Sequence, residues 1–251
     1  MRSIILLLIA LVLPGHAQEL TVAAAADLRP ALDEIAAHFQ PASGIKLHAI
    51  YASSGDLFHQ IENGAPFDVF LSANAAYPRK LDQEGLTVSG TYLEYAQGKI
   101  VLIVRSNSST DISGGLKALV APEIKKIAVA DPAHAPYGAA AVEALKREKL
   151  YDQVAAKLVM GENISQTASF VLSGGADAGI VALSLVKEAP ANSQVRYTEI
   201  PSGDYSPILQ ACVVLRSSKK QAAAAKFESY LRSGEAAAIL RRFGFDIPAT
   251  H

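Results

Sequence analysis

Two adjacent hydroxyl side chains, Ser53 and Ser54, lie at a turn between a predicted strand, which ends near Tyr51, and a predicted helix. Leu57 and Ile61 have the spacing of the buried side of that helix. The first N–H groups of a helix have no partner within it and the helix dipole is positive there, so this turn can bind an anion without lysine or arginine. Serine is also a favoured helix N-cap, and the turn by itself therefore indicates only a helix start.

The composition is that of an ordinary soluble globular protein. The chain has 251 residues, of which 50% are hydrophobic and 19% are charged, and its formal net charge is −1. This length can bury a good core, either as one large domain or as two modest lobes. There is no basic surplus that would indicate binding to nucleic acid.

The N-terminus has the pattern of a secretory signal peptide. Arg2 precedes the apolar run 4–13, which is too short to span a bilayer, and small residues lead up to Ala17. We expect cleavage after Ala17, a mature chain that begins at Gln18, and a soluble protein exported to the periplasm. Cys212, the sole cysteine, cannot form an internal disulfide and lies in an apolar run typical of a buried strand.

Strands and helices alternate along the chain in two series. In the first, strands 20–25, 45–51 and 69–71 are separated by two amphipathic helices. In the second, apolar strands recur with strand–loop–helix spacing at 99–105, 127–130, 158–160, 178–183 and 195–200. Such alternation predicts an α/β fold with parallel sheets, and ligands of such sheets lie beyond the carboxyl ends of the strands.

Three motifs follow one another in the order found in a known family. They are Ser-Ser-Gly at 53–55, the segment 60–66 with its Gly-Ala-Pro ending, and Asp-Val-Phe-Leu-Ser-Ala at 68–73. In this order the chain resembles the periplasmic molybdate-binding proteins that serve ABC importers. The resemblance implies a two-lobed periplasmic-binding-protein-like fold, in which each lobe is a mostly parallel sheet flanked by helices. It places lobe I at 18–95, lobe II at 96–205 and a return to lobe I at 206–251, after the signal peptide 1–17.

The same resemblance implies a set of ligand-binding residues, Asp27, Ser53, Ser54, Tyr137 and Ile164. Ser54 matches a hydroxyl that donates to a bound oxyanion, whereas Tyr137 and Ile164 match positions whose backbone N–H groups approach the ligand. None of these residues is implied to coordinate a metal cation directly.

Two positions depart from the family pattern. Asp27 stands where well-known members have serine, and Ala182 stands where they have tyrosine. A carboxylate facing a dianion would repel it, so we expect Asp27 to cap its own helix and to present only its N–H to the ligand. We expect the hydroxyl of Tyr137 to replace the one that is missing at Ala182.

The function implied by the resemblance is capture of molybdate, and of tungstate, by a monomeric binding protein that delivers the ligand to a membrane ABC permease. No cofactor is implied. Two alternatives remain open: a receptor of the same fold for another small anion, and a cation receptor that uses Asp27.

Enzyme and metal-site interpretations are weaker. Ser54, His134 and Asp131 could be combined as a hydrolase triad, but no Gly-x-Ser-x-Gly elbow surrounds the serine, so we predict no enzyme activity. A metal site could use Asp27, Asp68 and a histidine, yet the histidines show no ligand spacing. The effector domain of a LysR-type regulator shares the fold class, but the signal peptide and the lack of a helix-turn-helix segment argue against it.

Overall fold

A computed structural model describes residues 18–187 and 191–248. The predicted signal peptide, and with it the cleavage after Ala17, lies outside the described residues. Within them, no helix is both long enough and apolar enough to cross a bilayer.

The described residues form ten strands in two sheets. The strands are β1 (Gln18–Ala25), β2 (Ile45–Ala52), β3 (Val69–Ser72), β4 (Leu93–Gly98), β5 (Ile100–Arg105), β6 (Ile127–Ala130), β7 (Leu158–Gly161), β8 (Ala178–Ala182), β9 (Val195–Glu199) and β10 (Ile208–Val214). The first sheet has the order β2-β1-β3-β10-β4 and the second has the order β7-β6-β8-β5-β9.

Helices cover the sheets. They are α1 (Arg29–Ser43), α2 (Ser54–Glu62), α3 (Ala76–Gln83), α4 (Pro136–Arg147), α5 (Tyr151–Val154), α6 (Ile164–Leu172), α7 (Leu183–Lys187), α8 (Ala191–Gln194), α9 (Gln221–Leu231) and α10 (Gly234–Arg242). A single 3-10 turn, Ala26–Leu28, connects β1 to α1.

The described pairings confirm the α/β class and make each sheet mixed. In the first sheet, β1 pairs in parallel with β2 and β3, whereas β10 pairs antiparallel with β3 and β4. In the second sheet, β6 is parallel to β7 and β8, and β5 is antiparallel to β8 and β9. β5 and β10 are the first strands after the two crossings, and each runs antiparallel to both of its neighbours because the chain enters the other sheet in the opposite direction.

The central strands are buried on both faces. Along β1, Leu20, Val22 and Ala24 pack against the helices α1, α9 and α10, whereas Ala23 belongs to the opposite core beside α2. This explains why β1 is a nearly continuous run of small apolar residues rather than an alternating pattern. The apolar stripe of α1 contributes to the same core, where the rings of Phe39 and Phe227 lie 5.3 Å apart.

The chain changes sheets between Gly98 and Ile100 and again between Glu199 and Ile208. The lobe boundaries of the sequence analysis, 18–95, 96–205 and 206–251, stay a prediction. The second crossing runs from β9 into β10, so the C-terminal helices α9 and α10 pack on the first sheet.

Candidate functional site

A small cavity lies between the two sheets, at the carboxyl ends of β1, β2 and β3. Its volume in this closed arrangement is about 10 Å³, which is close to the least that holds one water molecule and leaves no room for a sugar or an amino acid. All five predicted ligand-binding residues line it, and the remaining lining residues are small and apolar: Ala25, Ala26, Ala52, Ala73, Ala135 and Pro136. Among the described residues that line this cavity there is no lysine or arginine.

Helix N-termini from both lobes converge on the cavity. α2 begins at Ser54, α4 has Tyr137 as its second residue, and α6 begins at Ile164. The N–H groups of a first helical turn have no partner within the helix, and the dipole makes that end positive. The Asn163 side chain accepts from the N–H groups of Ser165 and Gln166, at 3.0 Å each. It does not accept from the N–H of Ile164.

Ser54 is placed to donate into the cavity. Its Oγ accepts a hydrogen bond from the Ala73 N–H at 2.9 Å, and the residue is buried. Within the described residues this Oγ makes no other hydrogen bond. A serine hydroxyl that is used as an acceptor still has its proton to give, so Ser54 can donate to a bound anion.

Ser53 faces the same cavity but directs its hydroxyl elsewhere. It is the N-cap of α2, where its Oγ accepts from the Asp56 N–H at 3.1 Å and donates to Asp56 Oδ2 at 2.7 Å. This reciprocal pair is a helix cap with an acidic partner three residues on. The hydroxyl proton of Ser53 is therefore already donated to Asp56, whereas that of Ser54 remains available to a ligand.

Asp27 does not cap its helix, so that expectation was wrong. The N-cap of α1 is Leu28, without a side-chain hydrogen bond, because Asp27 lies in the preceding 3-10 turn. Its carboxylate instead points into the protein, where Oδ2 accepts from the Tyr137 hydroxyl at 2.8 Å and from Gln210 Nε2 at 2.7 Å. The residue is fully buried, and its Oδ1 has no partner among the described residues.

The environment of Asp27 changes its acidity. Burial raises the pKa of this carboxyl to about 6, against the hydrogen bonds from Tyr137 and Gln210 and the proximity of its own backbone N–H, which lower it. A carboxyl with this pKa carries its charge at a cost at neutral pH and accepts a proton readily.

The hydroxyl of Tyr137 is committed to Asp27 and does not replace a hydroxyl at Ala182, so this expectation was also wrong. The Tyr137 Oη accepts from Gln210 Nε2 at 3.2 Å while it donates to Asp27. Burial, and the carboxylate beside it, hold the pKa of Tyr137 well above its usual value. Ala182, the last residue of β8, is buried and does not line the cavity. Tyr137 therefore offers the cavity its ring and its backbone.

The close approach of this tyrosine depends on a glycine. A Cβ atom placed on Gly98 would lie 2.0 Å from the Tyr137 Oη and 2.8 Å from its Cζ. No side chain fits there without moving the tyrosine. Gly98 ends β4 at the crossing between the sheets, and it thereby sets the position of the Tyr137–Asp27 pair.

Hydrogen bonds between the lobes hold the cavity closed. The Gly55 N–H donates to the His134 carbonyl at 2.9 Å, at a contact where a Cβ on Gly55 would lie 2.7 Å from that oxygen. The hydroxyl of Ser184 donates to the Asp27 carbonyl at 2.7 Å, and that of Ser165 to the Ala26 carbonyl at 3.0 Å. These contacts join α2 and the 3-10 turn of the first lobe to the second.

Sequence reasoning missed Gln210, Ser165 and Ser184. Gln210 had a readable signal, because it is the one amide in the apolar run 208–215 and a buried amide requires partners. The two serines had none, since their acceptors are backbone carbonyls far away in the sequence.

The alternative sites do not form. Asp131 Oδ1 accepts from the Ala133 N–H of its own loop at 2.9 Å, and His134 Nδ1 lies 3.6 Å from Asp56 rather than beside Ser54. Asp68 precedes β3 whereas Asp27 follows the parallel strand β1, so the two carboxylates are at opposite ends of the sheet. In the described ranges, no group of His, Cys, Asp and Glu could hold a metal ion.

Two sheets that enclose a small cavity at their strand ends define a two-lobed solute-binding protein. A model of the family described as bacterial extracellular solute-binding protein matches residues 20–246, and the chain belongs to that family.

Two relatives of this chain and one similar solved structure are molybdate-binding proteins. The molybdate-binding protein ModA of Rhodobacter capsulatus is 37% identical over 95% of this chain and 92% of its own, and that of Azotobacter vinelandii is 36% identical over 93% and 92%. The solved structure of a periplasmic molybdate-binding protein from Azotobacter vinelandii superposes with a TM-score of 0.87, at 33% identity over 92% of this chain and 100% of that one. These findings confirm the predicted fold class, the family resemblance, and a binding protein rather than an enzyme.

Proposed function

We propose that this protein captures molybdate outside the cytoplasmic membrane and presents it to an ABC permease. The observation that carries the proposal is a closed cavity whose hydrogen-bond donors come from a hydroxyl and from helix N-termini, with no cationic side chain in its lining. The names of the relatives at 36–37% identity support molybdate as the ligand. Tungstate has the same charge and tetrahedral geometry, and we propose it as a second ligand.

The chemistry of the donors suits a fully ionised tetrahedral anion. We assign the donated hydrogen bonds to the Ser54 hydroxyl and to the backbone N–H groups of Asp27, Tyr137 and Ile164. Ser53 contributes by starting α2 correctly rather than through its hydroxyl, which Asp56 occupies. Fixed dipoles from several directions stabilise a dianion without bringing a mobile counter-charge into the site.

Delivery to a permease requires that the closed form be distinguishable from the open one. The bonds of Ser165 and Ser184 to backbone carbonyls of the other lobe join the two lobes in this closed form. We propose that a bound anion, held by helix ends of both lobes, favours this closed form, and that the permease recognises it. The protein acts as an exported monomer, and N-terminal sequencing of periplasmic material is expected to begin at Gln18.

A thermal-unfolding panel tests the ligand assignment. Purified mature protein is heated with molybdate, tungstate, sulfate, phosphate or ferric citrate, and calorimetry then gives the dissociation constants. A ligand at one hundred times its dissociation constant stabilises the native state by about 2.7 kcal/mol. We expect large upward shifts of the unfolding midpoint with molybdate and tungstate.

The variants Ser54→Ala and Ser229→Ala form a matched pair, since Ser229 is an exposed serine of α9 away from the cavity. Only the first should show a smaller shift than the wild type at the same molybdate concentration. A shift with ferric citrate and none with any oxyanion would contradict the proposal and favour a cation receptor that uses Asp27. A shift confined to sulfate or phosphate would favour a receptor for another small anion.

A further inference from the structure

One carboxyl oxygen in the cavity lining has no partner. Asp27 is fully buried and its Oδ2 accepts two hydrogen bonds, whereas its Oδ1 has none among the described residues. Buried polar atoms in native proteins are nearly always hydrogen-bonded, so an orphan that lines a binding cavity points to a ligand. Asp27 itself is one of the residues that line the cavity.

An ionised Oδ1 is unsuited to an anion. A carboxylate has only lone pairs to offer, and two negative groups in a buried site of low dielectric repel strongly. A protonated carboxyl would instead present an O–H group, the same kind of donor as the Ser54 hydroxyl, which also lines the cavity. The difference between repulsion and a hydrogen bond is therefore a single proton on Asp27.

The groups that contact Asp27 among the described residues are neutral, so a proton is what can neutralise its negative charge. From α4 and β10 come Tyr137 and Gln210, both on Oδ2, and from β4 comes Tyr95, whose hydroxyl donates to Gln210 Oε1 at 3.3 Å. Burial and the nearby Asp27 hold the pKa of both tyrosines well above the usual value, so both are neutral. From α7, the Ser184 hydroxyl bonds the Asp27 carbonyl.

Charged groups nearby are turned to other partners. The guanidinium of Arg29 stacks over the Tyr51 ring, with Cζ 4.2 Å from the ring centroid. Asp56 and His134 form a separate pair at 3.6 Å beside Ser53. No cation among the described residues is hydrogen-bonded to the Asp27 carboxyl.

We propose that this site takes up one proton with each anion it binds, and that Asp27, protonated in the complex, donates through Oδ1 to a ligand oxygen. This rests on the proposed oxyanion function. The balance is simple: the carboxylate, the dianion and one proton from solvent combine, and the bound site carries the dianion's charge without a second one beside it. No bond other than that to the proton is made or broken.

The acidity of Asp27 fits this scheme. Burial raises its pKa to about 6 before any anion enters, and the negative charge of the ligand raises it further. Between that value and the pKa of the complex, the dissociation constant should rise about tenfold for each unit of pH, because one proton is bound with the ligand.

The test measures proton uptake directly. Molybdate binding is followed by calorimetry in two buffers of different ionisation enthalpy, from about pH 6.5 to about pH 8.5, where the free oxyanion is a dianion. We expect the wild-type protein to take up close to one proton at the alkaline end, with a dissociation constant that rises about tenfold per pH unit.

Asp27→Asn is the decisive variant because its amide imitates the protonated carboxyl. The amide oxygen can accept from Tyr137 and Gln210, and the NH₂ group can donate to the ligand. We expect this variant to bind with a pH-independent constant and without proton uptake. Asp152→Asn, an exposed aspartate of α5, is the matched control and should behave as the wild type.

The outcomes separate this inference from the proposed function. If the wild type binds molybdate with constant affinity and no proton uptake, the inference is overturned and the molybdate function stands. Equal proton uptake by Asp27→Asn, or loss of molybdate binding in that variant while the wild type binds, also overturns it. If neither protein binds an oxyanion at any pH, the proposed function fails and the inference fails with it.

Discussion

The adjacent serines at the start of α2 should have separable roles. Ser54 Oγ accepts from the Ala73 N–H and retains its proton for a ligand, whereas the Ser53 hydroxyl is bonded in both directions to Asp56. Two alanine substitutions at neighbouring positions therefore probe ligand donation and helix capping independently.

The magnitudes follow from these bonds. Ser54→Ala removes a hydrogen bond to a charged ligand, worth about 1.5–3 kcal/mol, which is roughly a tenfold to hundredfold loss of affinity. It also leaves the buried Ala73 N–H unpaired, at a cost of about 1–3 kcal/mol in the free energy of unfolding. Ser53→Ala removes an N-cap and should cost about 0.5–2 kcal/mol of stability, with an affinity within about threefold of the wild type.

The assay has two parts. Denaturant unfolding is carried out without ligand, because a bound ligand would add its own stabilisation, and calorimetry then measures molybdate affinity under conditions where each variant is folded. The reasoning is refuted if Ser53→Ala weakens binding as much as Ser54→Ala does. It is refuted equally if Ser54→Ala binds molybdate as tightly as the wild type.

Three further substitutions test the Asp27 cluster. Without ligand, Asp27→Asn should become more stable relative to the wild type as pH rises from about 4 to about 7, by up to about 3 kcal/mol. The reason is that the pKa of the wild-type carboxyl, raised in the folded state from 3.8 to about 6, contributes stability at low pH that the wild type loses as the carboxyl ionises. A pH-independent difference in denaturant midpoints would contradict this. Tyr137→Phe should cost about 1.5–3 kcal/mol at pH 8, where Asp27 is charged, and about 0.5–1.5 kcal/mol near pH 4.5, where it is mostly neutral; equal costs at both pH values would argue against the charged pair. Gly98→Ala, whose Cβ would lie 2.0 Å from the Tyr137 hydroxyl, should lose about 1–3 kcal/mol of stability and weaken molybdate binding, whereas Gly114→Ala, with nothing within 4 Å, should change neither by much.

Local patterns in the sequence were sufficient for the elements that frame the site. The apolar run after Gln18 and the helical spacing of Leu57 and Ile61 predicted β1 and α2 close to where they lie, because burial patterns and helix starts are encoded by neighbouring residues. The motifs around the Ser53-Ser54 turn identified the family. The resemblance to that family implied the five candidate residues, and the structure brings all five to one cavity.

Local sequence patterns did not predict how the strands pair at the crossings. β4, with the sequence Leu-Glu-Tyr-Ala-Gln-Gly, has no β-branched residue, and the sequence did not predict it as a strand. It is a strand because β10, which returns from the second sheet more than one hundred residues later, pairs with it antiparallel. A hydrogen-bonding partner that arrives from so far along the chain leaves no mark on local periodicity.

Asp27 shows most clearly what only the tertiary structure decided. Its position at the end of an apolar strand and before an amphipathic helix favoured a cap, and that is the local optimum for such a residue. The fold instead brings Tyr137 and Gln210, 110 and 183 residues away, within hydrogen-bond distance of Oδ2. Two long-range donors outweigh a local cap because the turn buries the carboxyl completely, where an unpaired charge would be costly. The motifs shared with the family thus indicated which residues reach the cavity, and the packing of the two lobes determined which way each side chain points.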